Sequence, residues 1–299
     1  MGKGKGKMSI RHKRQALYGS LYILPSFAVI MVFNVLAIFL TAYFSLTSYD
    51  VYNSPKFIGI NNYINLFQNK TFKAAMVNTV KYVIITVPIQ TIIALVIAAF
   101  LAEKLKNKYG AFLRSIMFIP VIVSAVAASA VWKIIFKTKG GVINQFLELV
   151  GMSGVNWLGS KSMAFISVCI VSIWKNIGYF LVIYYAGIMG ISQELYEAAR
   201  VDGATSFQRF RYITLPGVKP ITYMVLTLGI IWSFQVFDIV YQLTGGGPGT
   251  ATITLAYMIY TYAFSNQKMG YASAIAIVLL LFVIAINRIQ DLFFKEKSS

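Results

Sequence analysis

The sequence has 299 residues, of which 58% are hydrophobic and only 12% are charged. Soluble globular proteins carry about a quarter of their residues as charged side chains, so this composition indicates a surface that faces lipid. The net charge of +18 does not indicate nucleic-acid binding, because the basic residues lie in short segments between apolar runs and not on one aromatic-studded face.

Two scarce residue types limit the chemistry further. The sequence holds one cysteine, Cys169, and one histidine, His12. Metal sites and nucleophilic dyads draw on such residues in combination. We therefore expect no metal site, no catalytic residue and no disulfide within the chain.

A basic segment is followed by alternating apolar and basic stretches. Residues 1–14 are predicted to form a basic cytoplasmic tail, either solvated or in contact with anionic membrane lipid. Residues 15–299 are predicted to form one all-α polytopic membrane domain, because six stretches are long and apolar enough to cross a bilayer. The first lies within 15–49, and the others are 82–102, 114–133, 162–190, 220–237 and 269–287.

The distribution of Lys and Arg between these stretches predicts the orientation of the chain. Most of them fall in the N-terminal segment, in the loops after the second and fourth stretches, and in the C-terminal tail. Basic residues favour the cytoplasmic side, so both termini are expected in the cytoplasm. On the outer side, residues 141–151 are predicted to form a short amphipathic helix at the interface.

The loop between the fourth and fifth stretches carries the most specific pattern, ELYEAARVDGATSFQRFRYITLPGVKP over 194–220. Residues 197–200 favour a helix, Gly203 permits a turn that a bulky residue would resist, and a second short helix is predicted over 204–212. Pro216 cannot continue a helical hydrogen-bond ladder, so it is expected to end that helix and begin the fifth span. The predicted apolar side of the loop consists of Ala198, Ala199, Phe207 and Phe210.

This loop resembles the EAA loop of the permease subunits of ATP-binding-cassette (ABC) importers. The resemblance rests on Glu197-Ala198-Ala199, on Gly203 four residues later, and on the run Ile213-Thr214-Leu215-Pro216. It implies that 194–216 is a coupling loop that docks on a separate ATPase subunit. The alternative is an interfacial helix with no partner. The implied coupling residues are Glu197, Ala198, Ala199, Asp202, Gly203, Phe207, Leu215 and Pro216.

Three further stretches resemble the sugar-transporting branch of these permeases, of the maltose, lactose, multiple-sugar and glycerol-3-phosphate type. They are 57–63 (FIGINNY), 174–179 (WKNIGY) and 243–248 (LTGGGP). The resemblance implies the type I ABC importer permease fold, a multi-pass location in a bacterial inner or plasma membrane, and a sugar or oligosaccharide as the solute.

Helical spacing places four residues of the fourth span on one face. They are Ser172, Lys175, Asn176 and Tyr179. The fifth span adds the candidates Gly229, Trp232 and Ser233. A sugar suits these residues, because its hydroxyls need hydrogen-bond partners and its C–H faces pack on aromatic rings, and the resemblance implies a solute site at this level.

Alternatives stay open for three of these residues. Lys175 either meets the solute or pairs with a carboxylate of a partner permease, because charges within a membrane usually have a partner. Tyr179 and Trp232 are alternatively ordinary packing aromatics.

The resemblance also implies the partners: a second homologous permease that completes a heterodimer, two ATPase subunits and an extracytoplasmic solute-binding protein. The string nearest to a P-loop has Ser160 inserted between Gly159 and Lys161, whereas that motif needs the glycine directly before the lysine. We therefore expect a translocating subunit that is not an enzyme and holds no cofactor, with ATP and Mg bound by the ATPase subunits.

Two other functions compete with a sugar importer. The first is an ABC importer for another solute, such as an amino acid, phosphate, glycerol phosphate or sugar phosphate, in which Lys175 serves an anion. The second is an ion- or proton-coupled carrier, which would require an inverted repeat and carboxylates within the spans. Neither sign of a carrier is found in the sequence.

Overall fold

A computed structural model describes residues 10–295, and most of them are helical. Within that range the strands are Thr47–Ser48 and Lys56–Phe57, which pair antiparallel with Thr47 opposite Phe57. The all-α prediction is confirmed as a class. Residues 1–9 and 296–299 lie outside the described residues, and most of the predicted basic tail lies there.

The first helical segment leaves most of its apolar side chains exposed. Helix α1 (Ile10–Ile30) begins inside the segment predicted as a tail and continues through a π-helical turn (Met31–Leu36) into α2 (Ala37–Ser45). The most apolar part of Leu21–Ser45 has no buried residue. Apolar surface of this extent indicates contact with lipid or with another protein chain.

The second predicted stretch, 82–102, is the C-terminal part of a longer helix. Helix α3 (Asn61–Gln68) leads into α4 (Lys70–Lys104), whose 35 residues extend about 50 Å at about 1.5 Å per residue. The side chain of Asn69 caps α4 by accepting a hydrogen bond from the Thr71 N–H at 2.8 Å, as N-cap residues do.

The third predicted span, 114–133, is wrong as a single helix. Helix α5 (Lys108–Ile122) and helix α6 (Ala125–Ile135) are bent by 99° relative to each other, because Val123 and Ser124 adopt extended backbone angles. The expected short helix over 141–151 is confirmed as α7 (Val142–Leu149).

The fourth and fifth stretches are α8 (Lys161–Met189) and α12 (Lys219–Phe234). They are joined by α9 (Gln193–Val201), α10 (Ser206–Arg209), a π-helical turn (Phe210–Thr214) and α11 (Leu215–Gly217). The predicted helix end near residue 212 is wrong, since helical backbone continues over Ser206–Gly217 and then bends by 69° into α12. Pro216 lies directly after the π-helical turn, where the regular i→i−4 hydrogen-bond ladder is already interrupted, so its missing N–H is tolerated.

The last part of the chain returns through short helices to a long one. These are α13 (Asp238–Leu243), α14 (Leu255–Tyr260), a π-helical turn (Thr261–Ser265) and α15 (Met269–Lys295). Among the described residues, four helical segments are long and apolar enough to cross a membrane, or six if each bent pair is one span.

Small residues set how closely the helices pack. Buried Ala94 and Ala98 of α4 lie in one core cluster with Phe180 and Leu181 of α8. At Gly178 of α8, an added Cβ would lie 1.9 Å from the carbonyl oxygen of Met117 in α5. A glycine at this position therefore permits the contact between α5 and α8.

This contact predicts that Gly178→Ala destabilises the protein, by about 1–3 kcal/mol as overpacking usually does. The measurement is thermal unfolding of the purified protein in detergent. The matched control is Gly187→Ala on the same helix, whose Cβ would meet the Ile221 side chain at 2.7 Å. Because a side chain yields more readily than backbone, Gly187→Ala should lower the melting temperature less. Equal shifts would contradict the prediction.

Candidate functional site

The first half of the 194–216 loop is a helix closed by a glycine turn. Glu197 and Ala198 lie on the exposed side of α9. Gly203 follows with φ +78°, and the Ala204 N–H donates to the Ala199 carbonyl at 2.8 Å, a bond that closes the helix end. An added Cβ at Gly203 would meet nothing within 4 Å, so the backbone conformation, and not lack of space, favours glycine there.

The second half of the loop begins with a capping box. The Gln208 N–H donates to Thr205 Oγ1 at 3.3 Å, and the Thr205 N–H donates to Gln208 Oε1 at 2.7 Å. Phe207 is 73% exposed, whereas Phe210 packs against the core of α4, α8 and α12. The predicted single apolar side is therefore wrong, because Phe210 anchors the loop and Phe207 points outward.

The residues implied by the EAA resemblance fall into two groups. Ala199 is half-buried, and half-buried Leu215 packs against the core. The others are exposed and form what we call the loop surface: Glu197, Ala198, Asp202, Gly203, Phe207 and Pro216.

Two hydrogen bonds help to hold the loop surface in place. The hydroxyls of Tyr196 in α9 and Thr214 in the π-helical turn lie 2.9 Å apart. The Lys106 Nζ, just beyond α4, donates to Gln193 Oε1 at 2.8 Å. The first bond joins the two halves of the loop, and the second ties the loop to the α4–α5 connection.

A polar cluster lies where α4, α8 and α12 meet. The Asn176 amide of α8 donates to Gln90 Oε1 of α4 at 3.5 Å. Gly229 of α12 lies beside this pair, since its added Cβ would be 3.1 Å from Gln90 Nε2. One turn farther along α12, the hydroxyls of Ser233 and Thr86 lie 3.2 Å apart. We call Thr86, Gln90, Asn176, Gly229 and Ser233 the polar cluster.

The predicted aromatic residues lie together. The rings of Tyr179 and Trp232 have centroids 4.9 Å apart, and Phe180 packs on Trp232 at 5.6 Å. Trp232 remains 37% exposed. Ser172 is buried and its hydroxyl donates to the Val168 carbonyl of its own helix at 2.9 Å, so its hydrogen bond is already used.

Lys175 is bound elsewhere. Its Nζ donates to the carbonyls of Pro120 at 3.2 Å, Val121 at 3.3 Å and Val123 at 2.7 Å. These carbonyls lie at the break between α5 and α6, where the last turn of a helix leaves carbonyls without intrahelical partners. The ammonium group also suits the negative end of a helix dipole. Lys175 thus has partners within its own chain.

A family model matches residues 76–298, and it describes the binding-protein-dependent transport system inner membrane component. The chain belongs to this family. Known permeases align with this one over nearly its full length. It is 37% identical over 278 residues to the probable ABC transporter permease protein YurN of Bacillus subtilis, covering 92% of this chain and 95% of the relative. It is 36% identical to the trehalose/maltose transport system permease protein MalF of Thermococcus litoralis, covering 91% and 92%.

A solved structure shows that the permease shares its fold with a known transporter. A chain of the bacterial alginate ABC transporter, in complex with an alginate pentasaccharide-bound periplasmic protein, matches with a TM-score of 0.82 at 23% identity, covering 93% of each chain. The permease therefore has the type I ABC permease fold and is a multi-pass membrane protein.

Two polar residues of the cluster, Gln90 and Thr86, were not among the candidates predicted from the sequence. Gln90 is 1% exposed and its Nε2 has no hydrogen-bond partner among the described residues, while Thr86 meets Ser233. The two residues are four apart and therefore share one face of α4. That spacing is the signal in the sequence, but a single helix does not reveal which neighbour it faces.

The Lys175 contacts predict that Lys175→Met destabilises the permease, because three carbonyls lose a donor in an apolar setting. The cost of such loss is about 1–3 kcal/mol. Thermal unfolding in detergent without solute measures this cost. Lys175→Arg keeps the charge and the donors, so its melting temperature should lie between those of Lys175→Met and the native permease. An unchanged melting temperature for Lys175→Met would contradict the assignment.

Proposed function

We propose that the permease forms half of the membrane pathway of an ABC importer for a neutral sugar or oligosaccharide. The observation that carries this proposal is the chemistry of the polar cluster: amides and hydroxyls beside the Tyr179–Trp232 ring pair. Lys175 is the one charged residue between 162 and 189, and it binds carbonyls of α5. The side chains that remain for a solute suit hydroxyls and C–H faces.

Relatives support a sugar as the solute. The Thermococcus litoralis relative is a trehalose/maltose transport system permease protein, and AraP of Bacillus subtilis, which is 32% identical, is an arabinooligosaccharide transport system permease protein. The lactose permease LacF of Rhizobium radiobacter is 33% identical over 91% of this chain. We assign the solute contacts to Asn176, Tyr179, Gly229, Trp232 and Ser233, and add Gln90 and Thr86. Ser172 and Lys175, which donate to carbonyls of this chain, act indirectly by positioning α8.

The loop surface supports a docking role. It combines an exposed phenylalanine with Glu197 and Ala198 on a rigid, capped segment, and an exposed aromatic on such a segment suits a partner groove. We propose that it docks on one of two ATPase subunits, which bind ATP and Mg, while this chain hydrolyses nothing.

The remaining partners follow from the family. We propose a second, homologous permease, and the unburied apolar length of Leu21–Ser45 supports such a neighbour beside lipid. A solute-binding protein would deliver the sugar at the opposite end of the helices from the loop. We further propose six spans with α5–α6 as one broken span, both termini in the cytoplasm and the loop surface on the same side, as the Lys and Arg distribution favours.

An acidic sugar or a sugar phosphate is the second candidate solute. The sulfoquinovosyl glycerol permease SmoG of Agrobacterium fabrum is 35% identical over 84% of this chain, and sulfoquinovose carries a sulfonate. This candidate needs a cation in the pathway, which would have to come from the second permease or from Lys175 after release of its carbonyls.

A solute panel tests the proposal. The permease is reconstituted in nanodiscs with its partner permease, ATPase subunits and binding protein, and ATP hydrolysis is measured with maltose, trehalose, lactose, arabinotriose, glycerol 3-phosphate and an alginate trisaccharide. At least one neutral sugar should raise the rate several-fold. Stimulation by the anionic solutes alone would replace the neutral-sugar proposal by the second candidate.

A substitution in the polar cluster sharpens this panel. Asn176→Leu should raise the half-saturating sugar concentration for uptake about tenfold, the effect of losing a net hydrogen bond of about 1.4 kcal/mol. Thr91→Val is the control, because Thr91 is a buried polar residue of the neighbouring helix α4 whose hydroxyl has no partner among the described residues, yet it lies outside the cluster. Equal effects of the two substitutions would argue against a solute contact at Asn176.

The loop assignment has its own test. Gly203→Val forces a β-branched residue into φ +78°, a strain of about 1–3 kcal/mol, and should weaken retention of the ATPase subunits during purification. Gly151→Val is matched, because Gly151 has φ +79° and its Cβ would also meet nothing within 4 Å. It should cost similar stability and leave ATPase retention unchanged. Full retention of the ATPase subunits by Gly203→Val would contradict docking through this loop.

A further inference from the structure

Two of the three helices that form the polar cluster continue directly into the loop. Helix α8 ends at Met189, shortly before α9 begins at Gln193, and α12 begins at Lys219, shortly after α11. Any displacement of the loop is therefore passed to both through the chain itself. Helix α4, which carries Thr86 and Gln90, has no such covalent connection to the loop.

A cluster of polar contacts supplies the missing connection at the end of α4. Glu103 Oε1 accepts a hydrogen bond from the Ser206 hydroxyl at 2.7 Å and is paired with Arg209 Nη2. Ser206 and Arg209 are the first and last residues of α10. Arg209 Nη2 also donates to Ser206 Oγ at 3.1 Å, and its Nη1 donates to the Ala204 carbonyl. One carboxylate thus holds both ends of the short helix.

The Glu103–Arg209 pair differs from an ordinary surface ion pair. The side chains of Arg209 and Glu103 are only 11% and 22% exposed, so water screens them less than it screens an exposed pair. A second ion pair joins Glu103 to Lys104 at 3.8 Å, and that lysine side chain is 55% exposed. Removing one partner of a shielded, hydrogen-bonded pair leaves the other charge poorly solvated.

We infer that the contact of Glu103 with Arg209 and Ser206 is the principal polar link through which loop movement reaches α4 and the solute site, beside the packing of Phe210 and the Lys106–Gln193 hydrogen bond. Glu103 is a positioning residue, and the inference rests on the proposed coupling role of the loop. From Glu103 to Gln90 the helix extends about 20 Å at about 1.5 Å per residue without an intervening proline. A continuous helix of this length moves as one body, so a shift of α10 displaces Gln90 relative to Asn176 and Gly229.

Charge reversal tests this link in the complete transporter. Glu103→Arg, Arg209→Glu and the double variant are each reconstituted with the partner permease, ATPase subunits and binding protein. ATP hydrolysis is measured with and without a sugar that stimulates the native complex. Each single variant should lose sugar stimulation by about 5-fold or more, the lower range of allosteric coupling. The double variant, which restores an opposite-charge pair, should recover most of it.

Assembly is measured beside activity, so that misfolding is separated from uncoupling. Co-purification of all subunits and the melting temperature report assembly. Should a single reversal fail to assemble, Glu103→Gln, which keeps the hydrogen-bond acceptor from Ser206 and removes the charge, takes its place with the same expected loss of stimulation. Lys104→Ala is the matched control and should leave both basal and sugar-stimulated hydrolysis unchanged, because its exposed ion pair contributes little.

The outcomes are distinct. If the assembled single variants keep native-like sugar stimulation, the link is overturned while the importer function stands. If the single variants lose stimulation and the double variant does not recover it, the link is likewise overturned. A native complex that no sugar in the panel stimulates overturns the proposed sugar function and this inference with it. Loss in the single variants with recovery in the double variant supports the link.

Discussion

Polar groups inside a membrane must find their hydrogen-bond partners within the protein, because lipid offers none. Several hydroxyls of the permease meet this constraint within their own helix. Hydroxyls within its helices donate to the carbonyl four residues earlier, as Thr79 does to Ala75 at 2.7 Å and Thr86 to Tyr82 at 2.7 Å. The carbonyls at the break between α5 and α6 accept hydrogen bonds from another helix instead, because Lys175 of α8 donates to them. The same contact that lowers the cost of a buried charge thereby stabilises a bent span.

Where local partners are exhausted, polar groups accumulate at the meeting of α4, α8 and α12. Gln90 is almost fully buried, yet its amide nitrogen has no partner among residues 10–295. An unpaired buried amide is costly, and the packing of Gly229 against it keeps the three helices close. A site with one unused donor beside Asn176 and the Tyr179–Trp232 pair suits a solute that brings its own hydroxyl oxygens.

The helices that carry the polar cluster are all connected to the loop. Helices α8 and α12 continue from the loop through the chain, and Glu103 ties α4 to α10. The capping box and the Tyr196–Thr214 contact hold the loop together, so in the proposed importer a force on the exposed Phe207 would be passed to the helices. Short rigid segments joined to long helices are suited to carry a small displacement over a long distance, because packed helices adopt discrete arrangements and do not deform continuously.

The amino-acid sequence by itself determined the membrane class, most of the long apolar helices, the helix–Gly203–helix loop and the family, because composition, apolar length and a spaced motif are local properties. It also selected Asn176, Tyr179, Gly229 and Trp232. The break at Val123, the continuation of helix past Pro216, the carbonyl partners of Lys175 and the places of Gln90 and Glu103 were decided only by the tertiary structure. Helical periodicity states which residues share a face, but the neighbour that each face meets depends on packing between segments far apart in the chain.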